Sequence, residues 1–121
     1  MPMRGLRGAT ISGQNEPQAI LDATQELLAA LLQANPSLRL EDLACAVFTM
    51  TEDLNAAYPA EAARRMGWSA VPMLCAQEIP VPGSLPACIR VLLQWNTDLP
   101  QQAIRHVYLG EATRLRPDLA L

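Results

Sequence analysis

An arginine set into an apolar stretch needs an anion, and Arg90 stands between Ile89 and the run Val91-Leu92-Leu93. Its partner is either a carboxylate of the chain, such as Glu78 or Asp98, or a bound anionic ligand. Arg7 lies in Arg4-Gly5-Leu6-Arg7-Gly8, where the missing glycine side chains let a ligand come close to guanidinium and backbone; the plainer reading is an exposed edge-strand arginine. Tyr108 shares a strand face with His106 by period two and could donate its hydroxyl to a ligand or simply pack. Glu78 could accept from a hydroxyl, but strict alternation sets it opposite Cys75, so both reach one ligand only if the strand ends or bulges between them. His106 is the only histidine, and no nearby nucleophile or orienting acid makes it a general base, so it reads as a satisfied structural histidine.

What is missing narrows the chemistry further. The basic side of the chain consists of nine arginines and no lysine, which closes Schiff-base, pyridoxal-phosphate, phosphate-loop, biotinyl and lipoyl chemistry that depends on lysine. Codon or thermal bias explains such a composition without function, so position must decide which arginines matter. The net charge is −3 and no more than two basic residues adjoin (Arg64 and Arg65), which argues against nucleic acid as a partner. Cys45, Cys75 and Cys88 are odd in number and at least thirteen residues apart, so they form neither a CxxC pair nor a zinc framework and suit a reducing cytosol. One histidine leaves little for a metal site. No apolar run approaches the roughly 20 residues of a membrane span and no export signal follows Met1, so the expectation is a cytoplasmic protein without membrane or metal.

The elements that must carry these residues are legible in outline. Met3 to Ile11 reads as a strand, with Gly5 and Gly8 marking a close approach to its backbone. Asn15 as N-cap, Gln18 three residues on and Pro17 in the first turn open a helix whose Ile20, Ala23, Leu27, Leu28, Leu31 and Ala34 share a face, and Asn35-Pro36 ends it. The run Ala44 to Met50 has the continuous apolar character of a central strand covered on both faces. Pro59 to Met66 is a short helix stopped by Gly67, and Val71 to Gln77 is a third strand. A stiff proline loop with a type II turn at Pro82-Gly83 leads to a strand at Cys88 to Trp95, on which Ile89, Val91 and Leu93 face away from Arg90. A turn near Pro100, a short strand at His106 to Leu109 and a last helical turn at Gly110 to Arg116 complete the chain. The 121 residues fit one domain with its own core, of α/β or α+β class, built on a mixed sheet of about five strands with helices packed on it.

Across nearly the whole chain, in order, the sequence resembles the AroH-type chorismate mutases. The matching blocks are Arg4-Gly5-Leu6-Arg7-Gly8-Ala9-Thr10, Tyr58-Pro59-Ala60-Glu61-Ala62-Ala63-Arg64, Val71-Pro72, Cys75-Ala76-Gln77-Glu78 and Cys88-Ile89-Arg90-Val91. They continue with Asn96-Thr97-Asp98-Leu99-Pro100-Gln101, Ile104-Arg105-His106-Val107-Tyr108-Leu109 and Leu115-Arg116-Pro117-Asp118-Leu119.

The resemblance implies a trimeric α/β pseudo-barrel that rearranges chorismate to prephenate on the way to phenylalanine and tyrosine, without cofactor, in sites between neighbouring subunits. It implies that Arg7 and Tyr108 hold a substrate carboxylate, that Arg90 meets a carboxylate and the ether oxygen, and that Glu78 with Cys75 contacts the ring hydroxyl. By the same likeness Met73 and Leu74 line the site, Tyr58, Ala60 and Arg64 come from the adjacent subunit, and Leu115 and Arg116 close over the ligand. Two positions depart from the pattern: Tyr58 stands where members can carry phenylalanine, and Glu61 where some carry lysine. The chain ends soon after Asp118, leaving little tail to act as a lid. The competing readings are a deaminase of a related trimeric fold acting on imines or enamines, a silent module that binds small dianions, and a purely structural subunit.

Overall fold

Apolar residues at three- and four-residue steps commit Pro17–Ala34 to a helix, α1, whose Ile20, Leu21, Thr24, Leu27, Leu28 and Leu31 are all buried. The computed structural model describes residues 1–118, so Leu119 of the last matched block lies outside the described residues. The strands are β1 (Met3–Ile11), β2 (Leu43–Met50), β3 (Met73–Gln77), β4 (Cys88–Asn96) and β5 (Val107–Tyr108), with a second helix, α2 (Pro59–Arg65), between β2 and β3. They form one mixed sheet in the order β3-β2-β4-β1-β5. β4 is antiparallel to both neighbours, whereas β3 runs parallel to β2 and β5 parallel to β1.

The helices cover one face of this sheet. Leu6 of β1, Phe48 of β2 and Val91, Leu93 and Trp95 of β4 join Leu27, Leu28 and Leu31 of α1 and Ala60 and Ala63 of α2 in one core. Gly8 faces α1: a Cβ there would lie 2.9 Å from Leu31 Cδ1 and 3.1 Å from Leu27 Cδ1. The approach expected from this glycine is therefore that of a packed helix and not of a ligand. The other face, which carries Val47, Arg90 and Leu92, is covered by neither α1 nor α2: the short 3-10 helix at Gly110–Leu115 packs on its Ala9, Cys88 and Tyr108 end, and Leu74 and Leu92 are exposed.

Three local expectations change. The N-cap of α1 is Glu16, whose Oε1 accepts the Ala19 N–H at 2.7 Å. Asn15 instead accepts the backbone N–H groups of Asn55 and Ala56, tying the start of α1 to the chain between β2 and α2. β2 is flanked by β3 and β4, but the middle strand is β4, and β2 is covered on one face only because both helices lie on the same side. Gly67 (φ +90°) does stop α2, and Gly83 (φ +83°) takes the third position of a Val81–Ser84 turn closed by a 3.1 Å backbone bond.

Candidate active site

One register row crosses the open face of the sheet. Tyr108 pairs with Ala9, Ala9 with Arg90, Arg90 with Thr49, and Thr49 with Ala76, so side chains from all five strands point the same way in one line. Ala9 is the small member, and its methyl leaves space between the phenol and the guanidinium. Arg7 lies two residues from Ala9 on the same face. Beyond the end of β3, the Glu78 N–H still bonds the Met50 carbonyl at 2.9 Å and the alternation continues, which brings its carboxylate to the row. The resulting cavity, about 290 Å³, is lined by Arg7, Ala9, Thr49, Glu78, Arg90 and Tyr108 among others.

Of the two carboxylates expected to meet Arg90, it is Glu78 that does so, Oε2 lying 3.5 Å from Nε. The Thr49 hydroxyl donates to the same carboxylate. Arg90 is half-exposed, with 39% of its side chain accessible, and so is less enclosed than its apolar neighbours in sequence suggest. Period two explains this, since Ile89 and Val91 go to the core and Arg90 to the open face. Its Nε is nevertheless buried without a hydrogen-bond partner, as is the hydroxyl of Tyr108. Beneath them the Cys88 thiol is pushed up by burial against the opposing pull of Arg90, so it stays protonated and is no nucleophile.

His106 is a satisfied structural residue: its Nδ1 accepts the Arg7 N–H at 3.0 Å. Burial, then the charges of Arg7 and Arg116, hold the imidazole below its ordinary range and neutral.

Six of the remaining expected residues gather elsewhere. Tyr58, Ala60, Arg64, Met73, Leu74 and Cys75 line a separate groove of about 290 Å³ between α2 and the β3 edge. Register sets Cys75 beside Phe48 on the helix side, and Glu78 on the open side, so a single chain does not bring these two together. Arg64 is bonded to Glu61 through Nη2 at 2.8 Å and Nε at 3.2 Å, and with Arg65 it lowers the carboxyl's pKa. Leu115 packs on the cluster of Ala9, Cys88 and Tyr108 behind the first cavity. Arg116 lies near Tyr108 and His106 and is held by Asp118 at 2.8 Å. Thr49 and Ala9 were not among the expected residues; only the strand register, which has no sequence signal of its own, places them beside Arg90.

A family model described as "Chorismate mutase type I" matches residues 3–119. The chain belongs to that family. Over 117 residues it is 58% identical to the curated "Chorismate mutase AroH" of Thermus thermophilus, which covers 97% of this chain and 96% of that protein. It is 43% identical over 122 residues to "Chorismate mutase AroH" of Bacillus subtilis, covering 100% of this chain and 95% of the relative. A solved structure, a chorismate mutase from Clostridium thermocellum, superposes with a TM-score of 0.88 at 44% identity, covering 91% of this chain and 97% of the other. The mixed sheet with α1 and α2 on one face is thus the fold of a chorismate mutase, and the row from Tyr108 to Thr49 lies on the sheet face opposite those helices.

Proposed function

We propose that the protein converts chorismate to prephenate, a step toward phenylalanine and tyrosine, in sites assembled between neighbouring copies of a homotrimer. The observation that carries this reading is the juxtaposition of two buried, unpartnered donors, Arg90 Nε and the Tyr108 hydroxyl, on either side of Ala9 in a cavity that also holds Arg7. Chorismate and prephenate are small dianions, and such a cavity offers them the fixed positive charge of Arg7 and Arg90 and the neutral donor of Tyr108, with Glu78 as its one carboxylate.

The rearrangement asks for little else. The ether C–O bond breaks as the new C–C bond forms within one molecule; electrons move round a six-membered ring, and no proton, nucleophile or metal takes part. A protein accelerates it by holding the compact chair-like conformer and by placing positive charge where the ether oxygen becomes negative. Arg7 and Tyr108 hold a carboxylate. Arg90 meets a carboxylate and the ether oxygen, for which its always-charged, planar fork of donors suits it. Glu78, held by Thr49, accepts the ring hydroxyl and keeps Arg90 in place.

The second groove supports the assembly. Its six residues are among those that the family resemblance assigns to the site, yet within one chain they line a groove apart from the cavity that holds Arg90. A neighbouring copy that presents this groove to the first cavity joins the halves, brings Cys75 to Glu78, and covers the open face with its exposed Leu74 and Leu92. Leu115 and Arg116 then close the cavity from behind Tyr108. Residues 1–121 constitute one domain on this reading, and the three free cysteines fit a reducing cytoplasm.

The test is direct. Purified protein mixed with chorismate should speed the loss of its ultraviolet absorbance, and Arg90→Ala should abolish the effect; no acceleration by the wild type overturns the proposal. Mixing inactive Arg90→Ala with inactive Arg64→Ala subunits should restore part of the activity, because some shared sites would then be intact. No recovery after verified subunit exchange overturns the shared site.

A further inference from the structure

We propose that His106 is a positioning residue for Arg7, acting through the backbone of β1. The inference rests on the proposed reaction only in that Arg7 grips the substrate; the contact itself is independent of it.

β1 has a complete partner in β4, but on its other side β5 pairs only with Gly8 and Ala9. The groups of Gly5 and Arg7 that face this side therefore lack a strand. Side chains replace it. The Gln101 amide accepts the Gly5 N–H at 3.0 Å and donates to the Gly5 carbonyl at 2.7 Å, pairing with it as a strand residue would. His106 Nδ1 accepts the Arg7 N–H at 3.0 Å, and two residues further the Leu109 N–H bonds the Ala9 carbonyl at 2.9 Å. Gly5, Arg7 and Ala9 are thus secured in turn by an amide, an imidazole and a backbone.

His106 is anchored from behind. Asn35, buried at the end of α1, accepts the Arg105 N–H and donates to the Arg105 carbonyl, each at 3.0 Å, and donates to the Leu31 carbonyl at 2.9 Å. The line runs from buried Asn35 through the backbone of Arg105 to half-buried His106 and on to the Arg7 N–H, and every hydrogen bond along it is at least partly buried. Because Nδ1 is an acceptor, the neutral imidazole carries its proton on Nε2. A nitrogen committed to the backbone is not free to act as a base, so His106 serves the reaction by holding Arg7 still.

The experiment uses steady-state kinetics with chorismate on the full chain. His106→Leu removes the acceptor and should raise KM about tenfold while leaving kcat within about twofold, since the grip on a carboxylate serves ground and transition states alike. His106→Asn places an amide oxygen where Nδ1 was and should return KM to within about twofold of wild type. In an Arg7→Ala background His106→Leu should add nothing, whereas a merely structural effect would multiply. An unchanged KM in His106→Leu, failure of the asparagine to rescue, or additivity with Arg7→Ala overturns the proposal.

If His106→Leu does not fold, Gln101→Ala weakens the same edge and should raise KM about two- to threefold at unchanged kcat; no change counts against it. Hydrogen exchange at the Arg7 amide separates this inference from the reaction. Exchange should be slow in wild type and His106→Asn, and faster in His106→Leu or Gln101→Ala, whether or not chorismate turns over; a fast wild-type amide overturns the positioning role.

Discussion

Arg90 Nε lies 3.5 Å from Glu78 Oε2, close enough to feel its charge, yet it makes no hydrogen bond among the described residues. A donor held near an anion but not consumed by it remains available to a second acceptor. This sets the first prediction. Replacing Arg90 with its neutral isostere citrulline should reduce kcat by about 10²–10³-fold or more and KM far less, because the charge matters most as the ether oxygen becomes negative. Steady-state kinetics decide the matter: equal losses in kcat and substrate binding would falsify the electrostatic role.

Thr49 donates to the carboxylate that meets Arg90, so its hydroxyl should matter although it touches no expected substrate group. Thr49→Val keeps shape and strand propensity and should lower kcat/KM about three- to tenfold with unfolding unchanged; Glu78→Ala should cost more. Full activity in Glu78→Ala would remove Glu78 from the assignment.

At the second groove Arg64 donates two hydrogen bonds to Glu61, so on the proposed reading Glu61 competes with the dianion for its guanidinium. Glu61→Gln should lower KM for chorismate about two- to fivefold at low ionic strength, with the gain shrinking as salt screens the charges. A KM that rises, or a gain that persists in high salt, contradicts the competition.

Gly8 lies under Leu27 and Leu31 with no room for a methyl group. Gly8→Ala should destabilise the chain by about 1–3 kcal/mol through displaced helix packing, read as a lower denaturant midpoint at unchanged slope. Gly5→Ala, where the nearest heavy atom would be Leu92 Cδ1 at 3.8 Å, should cost less.

Stability should also depend on pH through His106. Its folded pKa is lowered from the ordinary 6.5 by burial and by the charges of Arg7 and Arg116, so the unfolded chain takes up the proton first. The contribution is fully present above about pH 6.5 and is lost as pH falls from there toward the depressed folded value. Denaturation midpoints measured across that window should fall for wild type and vary less for His106→Asn; equal slopes would contradict the assignment.

Local patterns carried much of this molecule. Leu27, Leu28 and Leu31 repeat at helical spacing because one stripe must be buried, and Ile89, Val91 and Leu93 alternate with Arg90 because a strand shows its residues to two faces in turn. Pro17 and Pro59 open helices where a missing N–H costs nothing, and Gly67 closes one by accepting a positive φ. Charge type was equally local, since the chain holds nine arginines and no lysine for the work.

Register and layering were not local. Nothing near Thr49 in the chain announces Arg90, and nothing near Arg7 announces the imidazole that holds its N–H; each contact spans tens of residues and depends on which strands become neighbours. The apolar run of β2 predicted cover on both faces, but the chain places both helices on one side and leaves Val47 and Thr49 on the other. The same layering puts Cys75 and Glu78, three residues apart, on opposite faces. Side-chain periodicity follows from backbone geometry and is written into any short segment, whereas pairing across a sheet follows from how the whole core is buried, which exists only once the chain has folded.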